Sequence, residues 1–396
     1  MSEKEGGFAT RAVHVAQAPD ASSGAVVTPI VTATTFAQSV PGEPPGKGNG
    51  LSYGKGFCYA RGNNPTRAAV EQCIASLEGA EHGVAFASGL AAVTAVFELL
   101  PMGAKVLCTR DAYGGTLRYL RAYGSNKLNI IYADLFREPE EVLSQHEDIA
   151  LVYIETPSNP LLNITDIQRC AEAVRGRNTL IAADNTFASP FFQRPLALGA
   201  DIVVEACTKY IGGHSDVVGG IVCVNRLDLC EKLRFYQNAV GSVPSPFDCY
   251  LLLRSIKTLS LRMAQHERNA FAVAQFLEAD PRIVWLSFPG LPSHPHHATA
   301  AKQMHGYSGM LSFIIRQDGD VNVFLSALKI FCIAESLGAV ESLIEVPSVM
   351  THASVPREER IKMGLQDNLV RASIGVEDAE DLISDLDEAL TACFHS

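Results

Sequence analysis

Six short apolar runs constrain this chain more than any other feature. They lie at 105–108, 129–132, 150–154, 179–183, 202–204 and 220–224, and helix-forming stretches separate most of them. Several are apolar at successive positions, the pattern of a strand buried on both faces. Parallel strands need crossovers long enough to be helices, and those helices cover both faces of the sheet. The expected fold class is therefore α/β, with a large, doubly wound, mainly parallel sheet. In such sheets ligands bind outside the carboxyl ends of the strands.

That rule selects residues. Asp111 and Tyr113 follow the first run, and Glu155, Ser158 and Asn159 follow the third. Asp184 and Asn185 follow the fourth, and Thr208 and Lys209 follow the fifth. A further apolar stretch, 83–87, leads through Ser88-Gly89 into a helix-forming segment that ends before Pro101. Strand, small-residue turn and helix N-terminus make a phosphate-binding geometry, although an ordinary tight turn reads the same way. Neither a P-loop nor a GxGxxG dinucleotide pattern is present. Lys209 ends an apolar run and precedes a glycine-rich turn, Gly212-Gly213. A lysine there either carries its charge to solvent or is buried with a lowered pKa, the state that imine chemistry needs.

The remainder of the chain organises around this unit. Residues 1–58 read as an irregular, extended arm, because prolines and glycines break any period, and such an arm suits contact with a neighbouring subunit. Pro65 opens a helix whose apolar face carries Val70, Cys73, Ile74 and Leu77, with Gly79 as its stop. The doubly wound domain is expected over 59–253. A smaller C-terminal α+β domain is expected over 254–396, with a helical segment through Leu259 and Met263, a strand at 310–315 and a last helix carrying Leu382, Leu386, Ala389 and Cys393 on one face.

Of the 396 residues 47% are hydrophobic and 19% charged, and the net charge is -11, so nothing favours nucleic acid or an anionic membrane. No apolar run is long enough to span a bilayer, and the polar start of the chain lacks the order of a signal peptide. The ten cysteines make no CxxC pair, and His294, His296 and His297 have no cysteine or carboxylate at ligand spacing. A reduced, cytoplasmic protein without a metal site is the expectation.

Pyridoxal 5'-phosphate (PLP) is the cofactor that uses a lysine, a phosphate cradle and a buried carboxylate together. The motifs Ser88-Gly89-Leu90-Ala91-Ala92, Tyr113-Gly114-Gly115-Thr116, Glu155-Thr156-Pro157-Ser158-Asn159-Pro160, Asp184-Asn185-Thr186-Phe187, Thr208-Lys209-Tyr210 and Gly213-His214-Ser215-Asp216 occur in that order. With them the chain resembles the Cys/Met-metabolism family of fold type I PLP enzymes, from about His14 to the last helix. Within it, the resemblance is greatest to the branch that cleaves cystathionine at the γ-carbon.

The resemblance implies roles. Lys209 would hold the cofactor covalently and shuttle protons, and Asp184 would pair with the ring nitrogen. Tyr113 would stack on the ring and help deprotonate the incoming amine. Gly89, Leu90 and Thr208 would hold the phosphate, while Tyr59 and Arg61 would hold that of the adjacent subunit's cofactor. Arg371 would take the substrate α-carboxylate, with Asn159, Ser336, Glu335 and Arg118 also on the substrate. A small amino-acid substrate, shared sites in a dimer and a tetramer built from two such dimers complete the expectation.

Two departures stand out. The family usually has a serine where this chain has Ala206, which removes one hydroxyl donor, about 0.5–1.5 kcal/mol. Cys58 stands where several relatives carry a carboxylate near the distal end of the substrate. Gly115 stands where methionine γ-lyases tend to have cysteine. The implied reaction is γ-elimination of L-cystathionine to cysteine, 2-oxobutanoate and ammonia, with hydrogen sulfide as a side product from cysteine or homocysteine. Alternatives are a γ-synthase or sulfhydrylase acting on an activated homoserine ester, then a β-lyase. A non-catalytic binding protein of the same fold is a further reading, which a yellow purified sample would exclude.

Overall fold

The computed structural model describes residues 6–37, 57–353 and 357–394. Most of the glycine- and proline-rich part of the expected arm, 38–56, lies outside them. Among the described residues of 1–58 the structure departs from the irregular reading at Phe8–His14, which is a helix, α1. Seven residues are too few for a stable isolated helix. This one is held by packing, with Ala12 fully buried and the Arg11 guanidinium donating to the Ser76 carbonyl.

Helix α2 (Pro65–Glu78) starts on an Asn64 side-chain cap and stops at Gly79, whose φ of 74° is left-handed. The chain then lays down the large sheet: β1 (His82–Phe86), α3 (Gly89–Glu98), β2 (Lys105–Thr109), α4 (Gly114–Ala122), β3 (Asn129–Ala133), α5 (Pro139–Ser144) and β4 (Ile149–Glu155). There follow α6 (Ile167–Ala173), β5 (Leu180–Asp184), α7 (Ser189–Phe192), β6 (Ile202–Glu205) and β7 (Gly220–Val224). The strand order is β1-β7-β6-β5-β4-β2-β3. Strand β7 runs antiparallel to both neighbours, and the other pairings are parallel.

Alternate residues of the central strands feed opposite cores. Val106, Cys108, Leu151 and Tyr153 pack with α3, α4 and the helix α8 (Leu227–Val240), whereas Leu107, Val152 and Ile154 pack with α5 and α6. Both faces are covered, as the apolar runs require. The chain winds out to β3, then reverses through β4, β5 and β6 on the other side of β2. The crevice of such a sheet opens where the order reverses, here between the ends of β2 and β4.

Helices α9 (Pro246–Ile256) and α10 (Leu259–Ala279) lead into the second part of the chain. It contains β8 (Ile283–Ser287), α11 (His297–Gln303), β9 (Met310–Ile315), α12 (Val321–Ala327), β10 (Cys332–Ile333), β11 (Leu343–Glu345), α13 (Arg357–Lys362), β12 (Leu369–Ser373) and α14 (Ala379–Phe394). Five strands form a smaller sheet in the order β10-β11-β12-β9-β8. Its core joins β9 and β12 to α10, α12 and α14, and Leu382, Leu386, Ala389 and Cys393 are all buried. Strand β8, which the sequence reading passes over, is an edge with Val284 and Trp285 exposed and a register shift between Ile283 and Trp285. Among the described residues no helix is long and apolar enough to cross a membrane.

Candidate functional site

A cavity of about 310 Å³ opens at the carboxyl ends of the large sheet and is closed from the other side by the small sheet. Eleven of the candidate site residues singled out from the sequence line it: Gly89, Leu90, Tyr113, Glu155, Asn159, Asp184, Thr208, Lys209, Glu335, Ser336 and Arg371. They come from segments far apart in the chain, brought together because each follows a strand of the same parallel set or belongs to the sheet facing it.

Lys209 sits in the turn after β6, and its carbonyl accepts from the Gly213 amide at 2.7 Å. Its Nζ donates to Ser336 Oγ at 2.8 Å. Burial, and secondarily the Arg371 charge, bring this amine down to about 8, against opposing pulls from Glu345 and Glu335. A substantial neutral fraction near neutrality is therefore available. Ser336 has φ 92°, a left-handed backbone that a serine adopts only when its surroundings hold it there.

Asp184 is the last residue of β5. Its Oδ1 accepts from the Thr186 amide at 3.1 Å and the Thr186 hydroxyl at 2.6 Å, and its Oδ2 accepts from Tyr153 Oη at 3.0 Å. Its register partner on β4 is another acid, Glu155, whose Oε2 accepts from the Tyr113 amide at 2.7 Å. Burial raises both carboxyls. Glu155 goes well above the usual range, with the Asp184 charge adding to the push, while the bonds from Thr186 and Tyr153 oppose the rise at Asp184. Asp184 is the better-solvated anion, and Glu155 is the member that keeps a proton.

Arg371 lies within β12, almost fully buried. Its Nη1 donates to Asn159 Oδ1 at 2.9 Å and meets Glu345 Oε1 at 3.0 Å, and its Nη2 donates to the Ser336 carbonyl at 2.7 Å. Glu345 also accepts from the Thr351 hydroxyl at 2.8 Å. Ser336 thus touches Lys209 through its hydroxyl and Arg371 through its carbonyl. The Tyr113 ring folds over Gly115: a Cβ there would lie 2.3 Å from the ring, so glycine is needed for this placement.

Other expected residues fall elsewhere. Arg118 is exposed on α4 and does not line the cavity, although its charge reaches Tyr113. Tyr59 and Arg61 are exposed and outside the cavity of their own chain. Arg61 stacks on Tyr59 at 5.4 Å and donates to Asn238 Oδ1 at 3.1 Å. Asp111 and Ser158 lie behind the wall, hydrogen-bonded to one another. Asn185 is also outside the cavity, bonded to Glu78 and Glu205. The sequence reading missed Tyr153, Thr186 and Glu345. Tyr153 and Glu345 each put a polar group into an otherwise apolar strand, the same signal that marks Arg371.

A family profile described as Cys/Met metabolism PLP-dependent enzyme matches residues 9–391. The chain belongs to this family. It is 49% identical over 389 residues to the cystathionine γ-lyase of Mus musculus, covering 97% of this chain and 95% of that one. The crystal structure of cystathionine γ-lyase from Lactobacillus plantarum complexed with L-serine superposes with a TM-score of 0.93 at 39% identity, covering 98% of this chain and 99% of that one. Cystathionine γ-synthase from Xanthomonas oryzae pv. oryzae in complex with cystathionine superposes with a TM-score of 0.91 at 41% identity, covering 98% and 99%.

The residues present fit the cofactor of the Cys/Met-metabolism PLP family. The first helical bond of α3 runs from the Ala92 amide to the Ser88 carbonyl, so the Gly89 and Leu90 amides have no helical partner where they line the cavity. Gly89 is held close: a Cβ on it would sit 2.6 Å from the Ala206 methyl. Ala206, the departure from the family pattern, packs there as a wall. Thr208 Oγ1 donates to the Gly219 carbonyl at 3.2 Å and accepts from the Gly219 amide at 3.1 Å, which ties this turn to β7.

Proposed function

We propose that this chain is a carbon–sulfur lyase that converts L-cystathionine and water to cysteine, 2-oxobutanoate and ammonia, releasing hydrogen sulfide from cysteine or homocysteine as a side reaction. Bound PLP supplies an electron sink conjugated to the substrate Cα. Lys209 holds the cofactor and then serves as the base that reaches Cα and Cβ. Asp184, fixed by Thr186 and Tyr153, would pair with the ring nitrogen and favour its protonated form. Gly89, Leu90 and Thr208 would hold the phosphate, and Tyr113 would stack on the ring and take the proton of the incoming amine.

Arg371 takes the substrate α-carboxylate, with Asn159 and Ser336 beside it. Glu335, exposed at the cavity mouth, faces the distal amino-acid end, and Arg118 stands further out. The observation that carries this reading is the Ser336 bridge. It holds the amine of Lys209 one residue away from the guanidinium of Arg371, so a substrate anchored by its carboxylate presents its Cα proton to that amine.

The exposed pair Tyr59 and Arg61 supports a dimer in which each arm, 1–58, reaches the partner's cofactor phosphate, and a tetramer of two such dimers. In this division 59–253 holds the cofactor and 254–396 closes the substrate end. All ten cysteines are unbridged, which suits a cytoplasmic setting.

Product analysis tests the reaction. Cystathionine alone should give 2-oxobutanoate in excess of pyruvate. Dominant pyruvate would make the chain a β-lyase. Turnover only with an acyl-homoserine plus cysteine would make it a γ-synthase, the activity named for the Xanthomonas relative.

A further inference from the structure

Behind Asp184, away from the cavity, two acids meet in the interior. Glu78 ends α2 and Glu205 ends β6, and each is 1% exposed. Asn185 Nδ2 stands within 3.2 Å of Glu78 Oε1, 2.9 Å of Glu205 Oε1 and 2.9 Å of the Gln193 carbonyl. An amide nitrogen has two hydrogens, so it cannot serve three acceptors fully. Glu78 Oε2 is buried with no donor at all. Arg194 is the cation whose charge acts on Glu78, and it makes no hydrogen bond to either acid. The other titratable groups that reach the pair are Asp184 from β5, Cys207 from the turn after β6 and Cys223 from β7. Two bare carboxylates in contact here would be far more costly than one carboxyl and one carboxylate. A proton between them also supplies the missing donor.

The pair is tied to the turns on either side. Asn185 follows Asp184 directly, and its own amide donates to the Val204 carbonyl at 2.9 Å. Glu205 precedes Ala206, whose amide donates to Thr186 Oγ1 at 2.9 Å, and that hydroxyl donates to Asp184 Oδ1. We propose that Glu78 and Glu205 share a single proton, and that this dyad is a positioning element that sets, through Asn185, the spacing of the Asp184 turn and the Lys209 turn. The positioning half rests on the site reading given above for Asp184 and Lys209.

Burial raises both acids, Glu78 to about 7 and Glu205 well above the ordinary carboxylate range, where the Glu78 charge adds to the push. The folded chain therefore holds a proton that the unfolded chain releases in the ordinary carboxylate range. Its stabilising effect is fully present below that range and is lost as pH rises through the pair's upper, raised midpoint, above that of Glu78. Above the midpoint a second charge appears between α2 and β6, and repulsion loosens Asn185 from both.

Infrared spectroscopy of the holoenzyme reads the proton directly. Beyond the stretch of the Glu155 carboxyl, a protonated-carboxyl C=O stretch belonging to the pair should appear in the difference between wild type and each of Glu78→Gln and Glu205→Gln, and should fade as pH rises through the pair's midpoint. Difference spectra at about pH 6 that show no stretch lost on either substitution overturn the dyad. The positioning half is read from loss of the visible absorbance of PLP during dialysis. Wild-type dissociation should quicken by up to about tenfold per pH unit across the midpoint, and Glu205→Gln should flatten that dependence. Equal retention on both sides of a titrating band overturns positioning. If one substitution prevents folding, the difference spectrum of the other and the wild-type pH profile decide; if both do, a wild-type carboxyl stretch that does not change as pH rises overturns the dyad. A chain that never takes up PLP refutes the site reading instead, and the infrared band is still read on it.

Discussion

The two sheets each bring a register pair of charged residues to the cavity, and the pairs behave in opposite ways. In the large sheet Glu155 of β4 stands beside Asp184 of β5, acid against acid. In the small sheet Glu345 of β11 stands beside Arg371 of β12, acid against base. All four are at least nine-tenths buried. Like charges cannot both stay ionised in such a place, so the first pair divides its labour: Glu155 takes a proton and supports the Tyr113 backbone, leaving Asp184 as the anion. In the second pair burial raises Glu345 and lowers Arg371, but each partner's opposite charge pulls back toward the ionised form, and the pair aims a fixed guanidinium into the cavity. The large sheet prepares a site for a cationic ring nitrogen, the small sheet one for an anionic substrate. Lys209 lies between the two.

The largest effect is expected at that amine. Lys209→Ala should reduce 2-oxobutanoate formation below detection, because among the described residues lining the cavity it is the one amine placed to act as base at both carbons. The protein should still bind free PLP without the stable linkage that borohydride traps. Measurable turnover in this variant would break the division of roles between the two pairs. Next come the two members of the ion pair. Removing one partner of a buried hydrogen-bonded charge pair costs about 2–5 kcal/mol, so Arg371→Ala should lower kcat/KM by roughly 30- to several thousand-fold. The visible spectrum of the loaded protein should stay unchanged. Glu345→Gln should lower it too and should also move Lys209 below about 8, since the Glu345 charge is what pulls that amine upward.

The amine itself provides a pH test of intermediate size. Lys209 is brought down to about 8 by burial and by Arg371. The reacting form is the neutral one, so the rate at which the cofactor-free chain captures PLP should rise about tenfold per pH unit below that value and level off above it. The sign follows from a lowered base: the charged, unreactive form dominates at low pH. A profile that keeps rising to the pKa of an ordinary lysine would show that the cavity does not desolvate this amine.

Much of this arrangement is legible in the chain. The parallel core shows itself because strands covered on both faces must be apolar throughout, as at 150–154 and 202–204. Lys209, Asp184 and Arg371 show themselves because each interrupts or ends such a run. The same signal at Glu345 and Glu205 reads as ordinary strand ends, since nothing local tells whether a partner waits in the interior. Glu78 is a residue of another helix, distant in sequence, and only the folded chain brings it to Glu205. Arg118 illustrates a different limit. One residue more or less in the phase of α4 turns a side chain from the cavity to solvent, and a motif cannot fix that phase. Strand β8 has exposed residues and a register shift, so neither periodicity nor continuous burial marks it.

The smallest effect discriminates most sharply between the two pairs. Glu155→Gln replaces a carboxyl group by a neutral amide of the same shape. If Glu155 already holds a proton because burial and Asp184 push it well above the usual range, the substitution changes no charge. The Gln carbonyl can still accept from the Tyr113 amide, as Glu155 Oε2 does at 2.7 Å. What is altered is the strength of one buried hydrogen bond, on the order of 1 kcal/mol, so kcat/KM should fall by less than about tenfold. The chemically identical exchange at Glu345 removes a charge that Arg371 depends on and should cost far more. Two Glu→Gln variants with equal, severe losses would mean that Glu155 is ionised beside Asp184. The acid pair would then need a cation of its own in the free enzyme, and the contrast between the sheets would fall.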